Sequence, residues 1–462
     1  MRAQFPVATE LDWRGLVEKT LKGADADSLN QRTASGLAIA PLYRPATAPD
    51  LALPPRDAER PWDVRTLVSH PDPDRANRDV LTDLEGGAAS ISLKIGVGGV
   101  AVTSARDLER VLKGVLLELA TVGLDAGFQG PQAADWLATV AKGSPAARLA
   151  FHLDPISAWA EAGHSPGPVE AHLISAATVA ARLASQFPKA ELALASGRVV
   201  HEAGGSEAGE LAFAVASALV HARALNRAGL TLDEAFGGIT LGLAADGDYL
   251  VTLAKLRAAR LVWARLTQAC RVTLPARIEV RSSRRMLTAR DSWTNMLRLS
   301  AAAVGASLGG ADAISLGSFT DAIGHPTAFA RRQSRNAQLV LMEEAHLGRV
   351  ADPGAGSGYI EALTGQIARA AWDQFQAIER QGGLIAALEQ GHIVARIAEV
   401  MAARDPEPKI VGVTAYPPRP DISPEIEVLP VAVATPEVRM PGPDSRCPAL
   451  VPVRLSAIHE AA

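Results

Sequence analysis

The 462-residue sequence contains little cysteine, few aromatic residues and no strong excess of either charge. Its two cysteines, Cys270 and Cys447, exclude a disulfide-stabilised scaffold and favour a reducing compartment. Lys and Arg total 46 against 50 for Asp and Glu, and this net charge of −4 gives no overall basic field to hold nucleic acid. Aromatic residues make up only 4%, so Ala, Leu and Val supply much of the hydrophobic 48%. Such a composition suits helices packed closely on a sheet.

Targeting and membrane-spanning signals are also missing. Residues 1–9 carry one basic residue and no apolar core, so we expect no secretory signal. No run of about 18 apolar residues is free of charge, so we expect no transmembrane helix. The sequence therefore predicts a soluble cytoplasmic protein that is long enough for two or three domains, or for one barrel with additions.

The sequence divides into three parts. Residues 1–55 form an arm that opens on an amphipathic segment around Trp13 and ends in Pro-rich extended sequence. An arm too small to bury its own apolar face packs on its own body or on a partner, so we expect a subunit contact. Residues 56–404 alternate between strand-like and helix-like patterns. Residues 405–462 are rich in proline, through which helices cannot continue, and predict an extended tail.

Eight short apolar runs, each followed by a helix-like segment, predict repeated βα units in the central part. Repeated βα units imply a parallel sheet with right-handed crossovers. Eight of them favour an α/β fold of the (β/α)8 TIM-barrel type, with sites at the carboxyl ends of the strands; an open doubly wound sheet is the alternative. The predicted strands are 91–95, 124–128, 149–153, 192–196, 239–243, 277–281, 311–316 and 349–352, and predicted helices include 108–119, 248–267, 288–307, 327–344 and 359–380.

Several local motifs have both a functional and a structural interpretation. The glycine-rich segment 350–358 is similar to the cofactor loop of S-adenosylmethionine methyltransferases, but too little foldable sequence follows it, so a tight βα turn is favoured. The segment 201–205 begins like a zincin helix but lacks the second His, and no metal site is expected. Ser196 lacks the G-x-S-x-G pattern of a nucleophile elbow and is interpreted as part of a turn. The basic groups 281–285 and 331–336 could line an anion pocket or form surface ion pairs, and Arg281, at the carboxyl end of a predicted strand, is the better pocket candidate.

A set of ordered blocks resembles the methylmalonyl-CoA mutase family, over roughly residues 10–415. The resemblance implies a (β/α)8 barrel and an adenosylcobalamin-dependent radical reaction that interconverts methylmalonyl-CoA and succinyl-CoA. It also implies a separate C-terminal cobalamin-binding domain with a D-x-H-x-x-G histidine, and this pattern does not occur in the sequence. We therefore expect the cobalamin-binding domain to be absent. The blocks are 13–43, 76–88, 255–264, 295–298, 330–338 and 352–383.

The sequence departs from this family where the resemblance would put the chemistry. The family's Ser-Gly-Tyr-His becomes the segment 196–199, with Arg198 at the Tyr and Val199 at the His that hydrogen-bonds the substrate thioester. Val cannot donate a hydrogen bond. Leu67 stands at the position of a substrate-clamping Tyr, and Ser283 at that of another His. The family's substrate-binding Arg near residues 153–155 has no counterpart.

These departures make the chain most similar to the small, non-catalytic subunits of the family. We expect no catalytic residue, cofactor ligand or metal ligand on this chain, and adenosylcobalamin bound by a large catalytic subunit in a heterodimer, without nucleic acid or membrane. The alternatives are a catalytic barrel that uses a separate cobalamin-binding chain, and a regulatory module that binds acyl-CoA. The candidate pocket residues are Ser196, His201, Arg281 and Ser283.

Overall fold

The computed structural model describes residues 8–144, 146–430 and 438–460, and its centre is a closed barrel of eight parallel strands. The last strand pairs with both the first and the seventh: Ile314 lies opposite Val64 on one side and Val280 on the other. The predicted (β/α)8 barrel is confirmed, and the open sheet is excluded. The strands are β1 (Asp63–Val68), β2 (Ser90–Lys94), β3 (Thr121–Asp125), β4 (Leu149–Leu153), β5 (Glu191–Ser196), β6 (Ile239–Ala245), β7 (Ile278–Ser282) and β8 (Ala313–Ser315).

One predicted strand is wrong and one strand was missed. Residues 349–352 lie in a bend outside any strand, and Asp352 accepts hydrogen bonds from the buried Arg257. The missing strand is β1, which precedes every predicted run. Its sequence D-V-R-T-L-V contains the charged residues Asp63 and Arg65, so it lacks the continuous apolar run that predicted the other strands. The strand predicted at 124–128 begins three residues earlier, at Thr121.

The predicted helices differ from the observed ones mainly at their ends. The helix predicted at 108–119 ends at Val111, and Leu116 and Leu119 are exposed in the following turns. The helix predicted at 288–307 begins at Asn295, and the one at 327–344 ends as a π-helix over Val340–Glu344. The α-helices are Glu10–Thr20, Pro73–Glu85, Ala105–Val111, Gly130–Val140, Pro155–Ala162, Val169–Gln186, Arg198–Glu202, Glu207–Arg227, Leu232–Gly237, Tyr249–Ala269, Asn295–Leu308, Ala328–Leu339, Gly358–Arg380, Leu384–Glu389, His392–Ala402 and Ala457–Glu460.

Alanine-rich helices pack closely on the strands, as the composition predicts. Glu207–Arg227 and Tyr249–Ala269 bury most of their Ala side chains, and Trp263 is fully buried between the helices and the barrel. Glu207–Arg227 is long and apolar enough to cross a membrane by length and composition alone, but 72% of its apolar window is buried inside this fold. It is therefore a core helix.

The arm and the tail lie outside the barrel. The arm helix Glu10–Thr20 is capped by Thr9 and buries none of its side chains. A two-stranded hairpin, Gln31–Arg32 with Ala38–Ile39, follows it. The described part of the tail is extended and runs across the loops at the carboxyl ends of the strands, where Leu450 and Leu455 donate backbone hydrogen bonds to Ala160 and Arg285. The tail therefore borders the face of the barrel on which sites form.

Candidate functional site

A cavity of about 640 Å³ opens at the carboxyl ends of the strands. Charged residues at the ends of β2, β3 and β7 project into it: Lys94, Asp125 and Arg281. Leu450 and Pro452 of the tail also line it. The position is that of a TIM-barrel active site, and the volume lies within the range of about 300–1,000 Å³ that is usual for small-ligand sites.

The floor of the cavity is an ion network centred on the buried Glu279 of β7. Its carboxylate accepts hydrogen bonds from Arg65 at 2.7 Å, from Arg281 at 3.2 Å and from Arg198 at 3.3 Å. The ring of His152 lies 3.5 Å away. Four strands or strand ends thus meet at one carboxylate in the barrel interior.

Peripheral carboxylates extend this network. Asp125 accepts a hydrogen bond from Arg281 at 2.5 Å, and Glu191 lies 2.9 Å from His152. Burial by itself raises the pKa of Glu191, but the hydrogen bond and charge of His152 and the charge of Arg65 outweigh it and lower the pKa to about 2. The pKa of Glu279 is likewise held well below its usual range, because the surrounding cations outweigh burial. The interior is therefore ionised and internally paired.

The barrel axis is filled rather than open. A second cavity, of about 200 Å³, lies at the amino ends of the strands, and Arg65 and Glu279 both line it. Arg281 and His152 line the larger cavity at the opposite end. The network around Glu279 consequently separates the two cavities.

Two of the four candidate pocket residues line the large cavity, Ser196 and Arg281. His201 and Ser283 are not among the residues that line it. Both are buried, and their side chains lie 2.8 Å apart in a hydrogen bond. His201 is also 3.3 Å from the carboxylate of Glu210, so it belongs to a separate polar cluster.

Several cavity residues were not identified from the sequence, among them Lys94, Asp125, His152 and Asp321. Lys94 and Asp125 end their strands, and a charged residue directly after an apolar run is the signal that could have identified them. His152 lies inside β4, where its ring contacts Glu191 of the neighbouring β5 and faces Glu279 of β7 across the barrel interior. No local pattern identifies a contact of this kind.

Comparison with known proteins agrees with this architecture. The family model described as methylmalonyl-CoA mutase matches residues 88–439. The methylmalonyl-CoA mutase small subunit of Streptomyces virginiae is 38% identical over 449 residues, which cover 90% of this chain and 72% of that protein. That of Propionibacterium freudenreichii subsp. shermanii is 35% identical, over 85% of this chain and 65% of that protein. The methylmalonyl-CoA mutase of Cereibacter sphaeroides is 30% identical, over 87% and 64%.

The chain spans 64–72% of the length of these relatives. The matches to the small subunits of S. virginiae and P. freudenreichii have higher identity than the match to the C. sphaeroides mutase. The family match covers seven of the eight barrel strands, from β2 onward, and reaches into the tail. The chain therefore belongs to the methylmalonyl-CoA mutase family and is similar to its small subunits.

Proposed function

We propose that this chain is the non-catalytic small subunit of a methylmalonyl-CoA mutase and supports a catalytic large subunit. The large subunit would carry out the adenosylcobalamin-dependent interconversion of methylmalonyl-CoA and succinyl-CoA. The observation that carries the proposal is that Leu67 and Val199 line the large cavity, at positions where the resemblance implies a Tyr and a His. Neither side chain has a group that donates or accepts a hydrogen bond. The two positions cannot therefore clamp or polarise a thioester.

The filled barrel axis supports the same proposal. Arg65 donates to Glu279 at 2.7 Å, and both side chains are almost completely buried. Removing one member of a buried ion pair leaves an uncompensated charge, which costs about 3–5 kcal/mol. An elongated acyl-CoA tail along the axis would have to break this pair. The acyl-CoA-binding alternative therefore has no ready path through the barrel.

The residues that face the large cavity do not fit a cobalamin site. The D-x-H-x-x-G pattern is not present in the sequence. Two histidines line the cavity. His152 is engaged with Glu191 at 2.9 Å and faces Glu279, and the ring of His164 lies 3.3 Å from the carbonyl of Ala162. We therefore assign adenosylcobalamin to the partner subunit and derive no step from this chain's residues toward it.

The arm supplies a surface for the partner. Leu16 on the helix Glu10–Thr20 is 66% exposed and lies on one face with the half-buried Trp13 and Val17, and no side chain of the helix is fully buried in this chain. A helix with an unpartnered apolar face is stabilised by packing against another protein. We assign this face to the large subunit and the complex to the cytoplasm.

The test is mutase activity with adenosylcobalamin, measured for this chain alone, for the candidate large subunit alone and for the two co-expressed. We expect a stable 1:1 complex and activity only when the large subunit is present. Activity of this chain alone would contradict the proposal. Turnover by this chain with a separately supplied cobalamin-binding chain would establish the catalytic alternative instead.

The arm contact is tested by Leu16→Asp, with Ile174→Asp as the matched control. Ile174 is equally exposed, at 66%, but lies on the barrel helix Val169–Gln186. We expect Leu16→Asp to abolish co-purification with the large subunit and Ile174→Asp to preserve it. If Leu16→Asp still co-purifies with the large subunit, the arm helix is not part of the interface.

A further inference from the structure

A third cavity, of about 270 Å³, lies beside the large one at the carboxyl ends of the strands. The loops that follow β7 and β8 form much of its wall, through Arg284, the segment 316–318 and the segment 324–326. The helix Ala328–Leu339 closes another side. In TIM barrels, the loops after strands 7 and 8 frequently bind a phosphate group. The position of this cavity alone therefore suggests an anion.

The charges in the wall agree with that position. Arg331 and Arg335 of the helix both pair with one carboxylate, that of Asp83, and Arg335 does so at 3.1 Å. Their side chains are 9% and 7% exposed. Two buried guanidinium groups on one carboxylate leave one positive charge uncompensated, which is costly without a further counter-ion. The Nε of Arg335 also has no hydrogen-bond partner among the described residues.

Two more cations stand where this cavity meets the large one. Lys94 and Arg284 line both cavities, as do Gly317 and Asp321. Among the residues that the structure describes, no carboxylate oxygen lies within ion-pair distance of the side-chain nitrogen atoms of Lys94 or Arg284. Both cations are therefore available to a ligand.

Asp321 is the carboxyl group that would oppose an anion here. Its Oδ2 accepts a hydrogen bond from the backbone N–H of Ser318 at 3.0 Å. Burial raises the pKa of Asp321 to about 6, and this hydrogen bond and the charges of Arg284 and Arg331 only partly offset the rise. Lys94 and His325 are the other ionisable groups of the wall that are not already paired with Asp83 or with the network around Glu279. The carboxyl group of Asp321 is therefore largely protonated, and close to neutral, under mildly acidic conditions.

We propose that this cavity binds the phosphate group of a small ligand, either a phosphate monoester or free phosphate, with Lys94, Arg284 and Arg331 facing the anion. Charge-assisted hydrogen bonds from Lys and Arg are the strong contacts that phosphate oxygens make in proteins. The cavity volume suits a phosphate with a short carbon chain rather than a nucleotide. The site goes beyond the proposed function, because phosphate binding is measured on this chain without the large subunit.

The experiment is isothermal titration calorimetry on the full chain at low salt, with inorganic phosphate, glycerol 3-phosphate and glycerol as probes. We expect both phosphates to bind and glycerol not to bind. Tighter binding of glycerol 3-phosphate identifies the ligand as a monoester, and equal affinity identifies free phosphate. Absence of phosphate binding at millimolar concentrations of both would overturn the proposal.

Variants test the location of the site. Lys94→Gln and Arg284→Gln, at partly exposed and exposed positions, should each weaken phosphate binding about tenfold. Arg332→Gln removes one positive charge from the helix Ala328–Leu339 that borders the cavity, but Arg332 lies over the ring of Phe329 and does not line the cavity. The affinity of this variant for phosphate should equal that of the wild type. Equal affinity in all three variants would exclude this cavity.

Sulfate separates the role of Asp321 from the titration of phosphate itself, because the sulfate charge is constant across the tested range. Sulfate should bind more tightly as the pH falls through about 6, where Asp321 becomes protonated. His325 lines the same cavity and also gains a proton at low pH, so the comparison is made in a His325→Gln background. In that background, sulfate binding should still tighten as the pH falls, and adding Asp321→Asn should make it equal at pH 5 and pH 7.5. A pH dependence that survives both substitutions would overturn the assignment of Asp321 to the anion site.

Discussion

Replacing Glu279 by Gln tests whether the ion network holds the barrel interior together. The substitution keeps the shape of the side chain but removes the charge shared by Arg65, Arg281 and Arg198. Arg65 retains Asp63 and Arg281 retains Asp125. Among the described residues, Arg198 keeps the hydroxyl of Ser196 as a hydrogen-bond partner, and the charges of Asp125 and Asp154 act on it from outside ion-pair distance. The uncompensated charge therefore falls mainly on Arg198.

The expected cost follows from burial. Removing one partner of a buried ion pair costs about 3–5 kcal/mol. An unfolding entropy of about 2.1 cal/mol/K per residue gives about 0.7 kcal/mol/K for the roughly 340 residues from Asp63 to Ala402. Glu279→Gln should therefore lower the thermal midpoint by about 4–7 °C, measured by circular dichroism at pH 7.

The control is Glu399→Gln, which makes the same chemical change in an exposed pair with Arg396. Exposed pairs contribute at most about 1 kcal/mol, so its midpoint should fall by no more than about 1.5 °C. Adding Arg198→Gln to Glu279→Gln should recover part of the loss, because the two side chains are coupled. A midpoint for Glu279→Gln that equals that of Glu399→Gln would refute the reasoning.

Three further outcomes are expected. A Cβ at Gly358 would lie 1.9 Å from the carbonyl oxygen of Arg44, so Gly358→Ala should displace the arm and speed its limited proteolysis. The control is Gly365→Ala on the same helix, where a Cβ meets only a flexible Arg side chain and the rate of proteolysis should not change. A Cβ at Gly167, whose φ is +98°, would meet the carbonyl of Met440 at 2.3 Å, so Gly167→Ala should speed hydrogen exchange in the tail after residue 440; unchanged exchange would contradict this. The pKa of Glu191 is lowered from 4.5 to about 2, so its ionised form contributes about 3 kcal/mol to the free energy of unfolding. This contribution is present above pH 4.5 and is lost as the pH falls toward 2. Glu191→Gln should therefore unfold more easily than the wild type at pH 7 but equally at pH 2 in urea denaturation.

The barrel was predictable because its evidence is local. Apolar runs alternate with segments of helical period, and seven of the eight predicted strands overlap observed ones. β1 was missed because Asp63 and Arg65 interrupt its apolar pattern. The run at 349–352 was taken for a strand instead, although Asp352 serves as an ion-pair partner of Arg257. A charged strand is stable in this interior only because its partners come from other strands.

The candidate site was predictable in part. Ser196 and Arg281 end their strands, and the carboxyl ends of barrel strands converge on one face. His201 lies one helical segment further on, and its side chain turns into a cluster with Ser283 and Glu210. The direction of a side chain after a strand depends on packing, which a single sequence does not encode in a local pattern.

The sequence by itself determined the βα order, the family and the apolar residues at Leu67 and Val199. Only the tertiary structure decided that the barrel axis is closed and that a cationic cavity remains beside it. Arg65 and Glu279 are 214 residues apart and meet because barrel closure brings β1 and β7 within reach of each other across the interior. The local sequence determines the position of a charged residue on its strand. Closure of the barrel determines which charge it pairs with, and hence the energy of their electrostatic interaction.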